Sequence, residues 1–202
     1  ELLAKMDKIE GYQKEFQKVF GTGITMEGVG KAIASFERTL LSGNSPFDQY
    51  DSGEEKTAIS EAAERGLELF RKKAHCTKCH RSISNFTDEG FHNTGIGQDK
   101  DAVDFGRYNV TKNPLDIGAF KTPSLREVSR TAPYMHDGRL KTLEDVVDFY
   151  NKGGIQNKHL DKLILPLELT PQEKTDLLEF LHTLNGEGWQ HVTTPAPMEF
   201  PK

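Results

Sequence analysis

Apolar residues recur at helical spacing from the first residues of the chain. Leu2, Leu3, Met6 and Ile9, then Tyr12, Phe16, Val19 and Phe20, predict a helix over 2–20 that Gly21 and Gly23 stop. Thr25 opens a second helix through Ala32, Ile33, Phe36 and Leu40, and the run Ser42-Gly43-Asn44-Ser45-Pro46 ends it. The polar stretch 51–56 reads as a boundary. A third helix, over about 57–73, buries Ala62, Leu67, Leu69 and Phe70 and delivers the chain into His75-Cys76-Thr77-Lys78-Cys79-His80. From 81 to 130 glycine, asparagine, aspartate and proline recur and periodicity is weak. A compact domain rarely holds a structureless loop of that length, and a cofactor whose edges are wrapped accounts for it. Two clearer helices follow. One starts at Thr142, with Asp145 three residues on, and stops at Gly153-Gly154. The other opens with Thr170-Pro171-Gln172-Glu173 and ends at Asn185-Gly186. The tail, with Pro195, Pro197 and Pro201, reads as extended. Strand signals are sparse and no repeat is present, so the expected fold class is all-α.

Composition narrows the function. A net charge of -5 without a basic block argues against nucleic-acid binding. No apolar run approaches the roughly 18 residues of a membrane span. The hydrophobic fraction is 35%, which is modest, and a cofactor buried in the core would help such a chain fold. The sequence begins at Glu1, without a Met or a signal peptide, which suggests a mature, cleaved or cloned piece.

The two cysteines carry the chemistry. Thiols three residues apart can add across the two vinyl groups of one haem, and the next residue, His80, can ligate its iron from the same side. A disulfide is the bland alternative. Zinc is the other, but it wants four ligands and no second Cys or His pair stands at ligand spacing. A covalent c-type haem on Cys76, Cys79 and His80 is therefore expected, with His75 a surface or outer residue. Candidates for the far face of the iron are Met135, Met198, His92, His136 and Tyr150. Spacing alone favours Met135, in the compact turn Ala132-Pro133-Tyr134-Met135-His136-Asp137-Gly138, but does not choose.

From about Gly11 onward the chain resembles the bacterial dihaem cytochrome c peroxidases and their methylamine-utilisation (MauG) relatives. The matching strings are Gly11-Tyr12 to Phe20-Gly21, Ala32 to Leu40, Cys76 to His80 and Phe91-His92-Asn93-Thr94-Gly95. Phe120-Lys121-Thr122-Pro123-Ser124-Leu125-Arg126 and Thr131 to Gly138 complete them. The resemblance falls on the family's second half. It implies that 1–52 are the last helices of a first, otherwise absent haem domain, 53–187 a cytochrome c-type domain, and 188–202 a tail. In the family the first haem reacts with peroxide, and a tryptophan lies between the haems; here the only tryptophan is Trp189, in the tail. The front half was lost, is a separate chain, or never existed; the first two are favoured because helices inherited from a domain need something to pack against.

The resemblance also bears on the distal ligand. Fourteen residues after the His-Asp-Gly histidine the peroxidases carry methionine and the MauG group tyrosine; from His136 that count reaches Tyr150. A phenolate favours higher oxidation states and a lower potential than methionine does. A calcium between the haems is implied, on the backbone carbonyls of Thr131 and Pro133. Arg126 and Lys121 are candidates for the haem propionates. The expected function is the second haem domain of a periplasmic dihaem peroxidase or MauG-like oxidoreductase. Its expected partners are an N-terminal haem domain, a redox protein or small electron donor, and a second copy of itself. The alternative is a monohaem electron-transfer cytochrome.

Overall fold

The computed structural model describes residues 1–98, 103–190 and 192. The tail prolines and the candidate Met198 lie outside the described residues. Helices dominate, and the strand content among the described residues is one two-residue antiparallel ladder, β1 (Phe91–His92) against β2 (Phe120–Lys121), with a few isolated bridges. No helix among the described residues is long and apolar enough to cross a membrane. The chain divides into two compact units, residues 1–42 with the segment from Glu187, and Gly43–Gly186.

The first unit holds α1 (Leu2–Met6), α2 (Glu10–Phe20) and α3 (Met26–Glu37). The single helix expected over 2–20 breaks at 7–9, where Ile9 is extended. The Gln13 side-chain amide donates to the Asp7 carbonyl at 2.6 Å, occupying an acceptor that a continuing helix would use. Gly21 ends α2 in the left-handed region, φ 67°, as expected. Thr25 caps α3, its hydroxyl accepting from the Gly28 amide. Val19, Met26, Ile33 and Phe36 leave an apolar surface exposed on α2 and α3.

The second unit holds α4 (Pro46–Ser52), α5 (Glu61–Arg71), α6 (Tyr108–Thr111), α7 (Leu143–Asn151) and α8 (Pro171–His182). Helix α4 was not expected. Its signal is present all the same: Ser45 and Asp48 form a reciprocal capping box with Pro46 in the first turn. Phe47 then enters an aromatic core with Phe70, Phe86 and Phe180, whose centroids lie 5.0–6.4 Å apart. That burial places α4 with the second compact unit, which begins at Gly43.

Helices α5 and α8 cross closely at Gly66, where a Cβ would lie 1.9 Å from the Asp176 carbonyl oxygen. Beside the crossing, buried Asp176 accepts two hydrogen bonds from Arg65, at 2.8 and 2.9 Å. The capping boxes expected at Thr142/Asp145 and Thr170/Glu173 both form. The segment 81–130 is poor in helix, as its composition implies, but it is pinned. The Thr87 hydroxyl donates to the Thr122 carbonyl at 2.8 Å, Ser124 to that of Asn85 at 2.6 Å, and the Asn93 amide to that of Ile117 at 2.8 Å. These bonds hold the loops as walls around a cavity.

Candidate cofactor site

Past the end of α5 the chain makes one 3-10 turn, Cys76–Lys78, entered through His75 in the left-handed region. The Cys79 and His80 amides both donate back to the Cys76 carbonyl, at 3.2 and 2.8 Å. This tight turn brings Cys76, Cys79 and His80 to the wall of one cavity. His80 Nδ1 donates to the Phe86 carbonyl at 2.7 Å, so its tautomer leaves the Nε2 lone pair available as a ligand. Burial lowers the His80 pKa, which keeps the ring neutral. Neither cysteine is in a disulfide. Burial pushes the Cys76 thiol up to about 12 and that of Cys79 to about 11.

The cavity measures about 440 Å³ and lies wholly within the second unit. Ile96, Leu125, Val128, Leu163 and Ile164 contribute to a largely apolar lining. Glycines let its walls meet: at Gly95, φ +91°, a Cβ would sit 2.1 Å from the Ile155 carbonyl oxygen. Tyr150, on the last turn of α7, also lines the cavity. Its hydroxyl has no hydrogen-bond partner among the described residues. Burial pushes its pKa well above the usual tyrosine range, and the nearness of Cys76 and Cys79 acts the same way. The donor set fits a c-type haem: two thiols at attachment spacing, a neutral imidazole with its outer nitrogen available, and an apolar cavity within the roughly 300–1,000 Å³ of cofactor sites.

The remaining candidates separate. His92 lines the cavity, but both its nitrogens are engaged, Nδ1 with Asp161 at 2.6 Å and Nε2 with Asp88 at 2.9 Å. It therefore has no nitrogen left for iron. Burial alone would lower the His92 pKa; the hydrogen bonds with Asp161 and Asp88 outweigh it and raise it. Burial likewise opposes ionisation of Asp88, yet hydrogen bonds from His92 and the Gly90 amide bring its pKa down to about 2. His136 stacks on Phe120, 3.5 Å between centroids, with Nε2 3.4 Å from an Asp104 oxygen. Met135 and His136 line the cavity too, so His92, Met135, His136 and Tyr150, the four described distal candidates, all stand at its wall. His75 is exposed at the edge of the cavity.

Arg126 is not among the residues that line the cavity; its two terminal guanidinium nitrogens bond Asp48 at 2.6 and 2.7 Å and Ser45 at 3.2 Å, while its Nε is buried without a partner. Lys121 does line the cavity, and its Nζ pairs with Glu89 at 2.7 Å. Thr131 and Pro133 also line it. Among the described residues, the one group of three His, Cys, Asp or Glu ligand atoms within 4.8 Å of one another is Cys79, Asp88 and His92. The His92 nitrogens in it are already taken, by Asp161 and Asp88. Sequence reasoning missed Asp48, Asp88 and Asp161. Asp88 stands four residues before His92 and the Ser45–Asp48 spacing is a capping signal; Asp161, 69 residues from His92, gives none.

Comparison with known proteins finds relatives over most of the chain. A family model described as di-haem cytochrome c peroxidase matches residues 1–56. The methylamine utilization protein MauG of Methylophilus methylotrophus is 40% identical over 190 residues, covering 92% of this chain and 55% of its own length. Cytochrome-c peroxidase IdrP1 of Pseudomonas sp. (strain SCT) is 37% identical over 220 residues, covering 94% of this chain and 58% of its own. The crystal structure of a MauG-like protein associated with microbial copper homeostasis matches with a TM-score of 0.73 at 33% identity, over 96% of this chain and 63% of that one. The chain thus spans little more than half the length of the curated relatives it matches. Its sequence likeness to both branches, together with a cavity built around Cys76, Cys79 and His80, places it: the chain belongs to the di-haem cytochrome c peroxidase and MauG family.

Proposed function

We propose that this chain is the second haem domain of a periplasmic dihaem peroxidase or MauG-like oxidoreductase. One cavity gathering Cys76, Cys79, His80 and an unpartnered Tyr150 hydroxyl is the observation that carries this reading. A c-type haem held there supplies one-electron redox chemistry. The chain's own residues do the rest. The two sulfurs anchor, and His80 offers Nε2 while the Phe86 carbonyl fixes its orientation. The apolar walls keep water from competing for the iron and raise the weight of each nearby charge. Lys121, at the cavity, is a candidate for a haem carboxylate. Tyr150 is the favoured distal ligand over Met135, because its hydroxyl lacks any other use and the family count from His136 reaches it. Ligation requires the phenol to lose a proton that burial otherwise holds on it.

Residues 1–42 fit the end of a first haem domain, as the match of the family model to 1–56 supports, and their exposed apolar surface suits burial against the rest of that domain. Peroxide would react at the first haem, and this domain would pass electrons or oxidising equivalents to and from it. A calcium held partly by the Thr131 and Pro133 carbonyls belongs to the same proposal. The second reading is a monohaem electron carrier. Were His80 and Tyr150 both to hold a haem iron, they would leave peroxide no open site on it, so the isolated chain should turn peroxide over slowly or not at all. Intact mass and haem count of the protein from its source separate the readings. About twice the 22.7 kDa of this chain, with two haems, supports the dihaem enzyme; this mass with one haem supports the carrier.

A further inference from the structure

Between Arg71 and Arg81 the chain places five Lys and Arg residues and no Asp or Glu, although its net charge is -5. The fold gathers these into one open concave surface lined by Arg71, Lys72, Lys73, Lys78 and Arg81 with His75. His75 and Lys78 also line the cofactor cavity, so the basic surface begins where the cavity wall ends. Three carboxylates meet it: Arg71 pairs with Asp51 at 3.3 Å, Lys73 with Glu173 at 2.7 Å, and Lys72 with Glu68. Lys78 makes no ion pair among the described residues, so the surface keeps positive charge that these three carboxylates do not offset. The paired cations are exposed, Lys72 at 75%, although Glu173 opposite Lys73 is only 26% exposed. Exposed pairs of this kind contribute under about 1 kcal/mol and exchange readily for an incoming charge.

We propose that this surface docks a redox protein that presents an acidic patch. The inference rests on the haem reading above, since electrons must pass close to Cys76 and Cys79. Several kT of local potential raise the encounter rate of an oppositely charged partner and orient it, and the effect fades once salt shortens the Debye length below roughly 8 Å. The surface is open and broad, with its cations on flexible stems. That form suits a protein face better than a small anion, which would need an enclosed and rigid cradle.

The test uses the haem-loaded chain, its haem reduced, mixed in a stopped-flow instrument with ferric horse-heart cytochrome c or with the same protein succinylated. The two probes share a redox centre and carry opposite surface charge. At low ionic strength the succinylated probe should oxidise the chain at least tenfold faster than the native one, and added salt should erase the difference. The double variant Arg71→Gln/Lys72→Gln, altered at exposed positions ahead of Cys76, should shrink the preference severalfold. Equal rates, faster reaction with the native basic probe, or a preference unmoved by the double variant would overturn the proposal. Haem content is measured first by intact mass. A chain that takes up no haem sinks the functional reading and this inference with it, whereas a haem-loaded chain without charge preference sinks only the inference.

Discussion

Replacing Gly66 with alanine sets two effects of opposite sign against each other. Alanine is the better helix former by about 1 kcal/mol, so on propensity alone the variant is stabilised. Packing opposes it. The added methyl would stand 1.9 Å from the Asp176 carbonyl oxygen and 2.8 Å from Phe180 Cβ, and the nearest of these obstacles is backbone, which cannot rotate aside. Relief requires α5 and α8 to separate by about 1 Å or more at their crossing, which loosens dispersion contacts around Leu67, Phe70 and Phe180. Overpacking of this kind costs about 3 kcal/mol or more, and the net loss is about 2–3 kcal/mol after the propensity gain. For a unit of this size that lowers Tm by roughly 5–10 °C. Because α5 leads directly into the Cys76 turn, the loss should reach the cofactor site. Thermal unfolding followed by far-UV circular dichroism and by haem absorbance together should shift as one transition. An unchanged or raised Tm would refute the packing argument and leave helix propensity in control.

Other sites give further expectations. Tyr150→Phe removes the phenol oxygen and should change the ferric absorption spectrum and raise the midpoint potential; an identical spectrum removes Tyr150 as a ligand. Asp48→Ala breaks the capping box of α4 and leaves the Arg126 guanidinium without its bidentate partner, and should cost about 2–3 kcal/mol in guanidinium-induced unfolding. A loss under 0.5 kcal/mol would show the pair to be ornamental. The Asp88–His92–Asp161 cluster sets a pH window. Asp88, held down at about 2 against an ordinary 3.8, stabilises the fold above the ordinary value and loses that contribution as pH falls toward 2. His92, raised above its ordinary 6.5, contributes fully below that value and loses its contribution as pH rises through the raised one. His92→Asn should therefore cost most, about 2 kcal/mol, between about pH 4 and 6.5, and less on either side. A cost equal at pH 3, 5.5 and 9 contradicts the assignment.

What the sequence disclosed depended on how local each signal was. The haem-attachment turn needs five consecutive residues, and the caps of α7 and α8 need four each, so these were legible in one dimension. Helix α4 carried the same kind of signal in Ser45, Pro46 and Asp48, but it lay inside a run rich in turn formers and was read as a loop. The break between α1 and α2 escaped because apolar spacing continues through Asp7 and Lys8, and only the Gln13 amide on the Asp7 carbonyl interrupts the helix. Non-local pairings were invisible. Nothing in one dimension ties Arg126 to Asp48 or His92 to Asp161, and the second pairing occupies a ring nitrogen that a ligand role would need. Tyr150 was reached by a family count, and the structure adds a physical ground for it, an unpartnered hydroxyl at a cavity shared with both cysteines.

The most direct test of the account is intact mass spectrometry of this chain expressed with a cytochrome c maturation system, under denaturing conditions that strip any haem held without covalent bonds. The account predicts a mass increased by one haem, lost when both Cys76 and Cys79 are replaced with alanine. A chain that emerges at its unmodified mass, with both thiols free to react with an alkylating reagent, would contradict it.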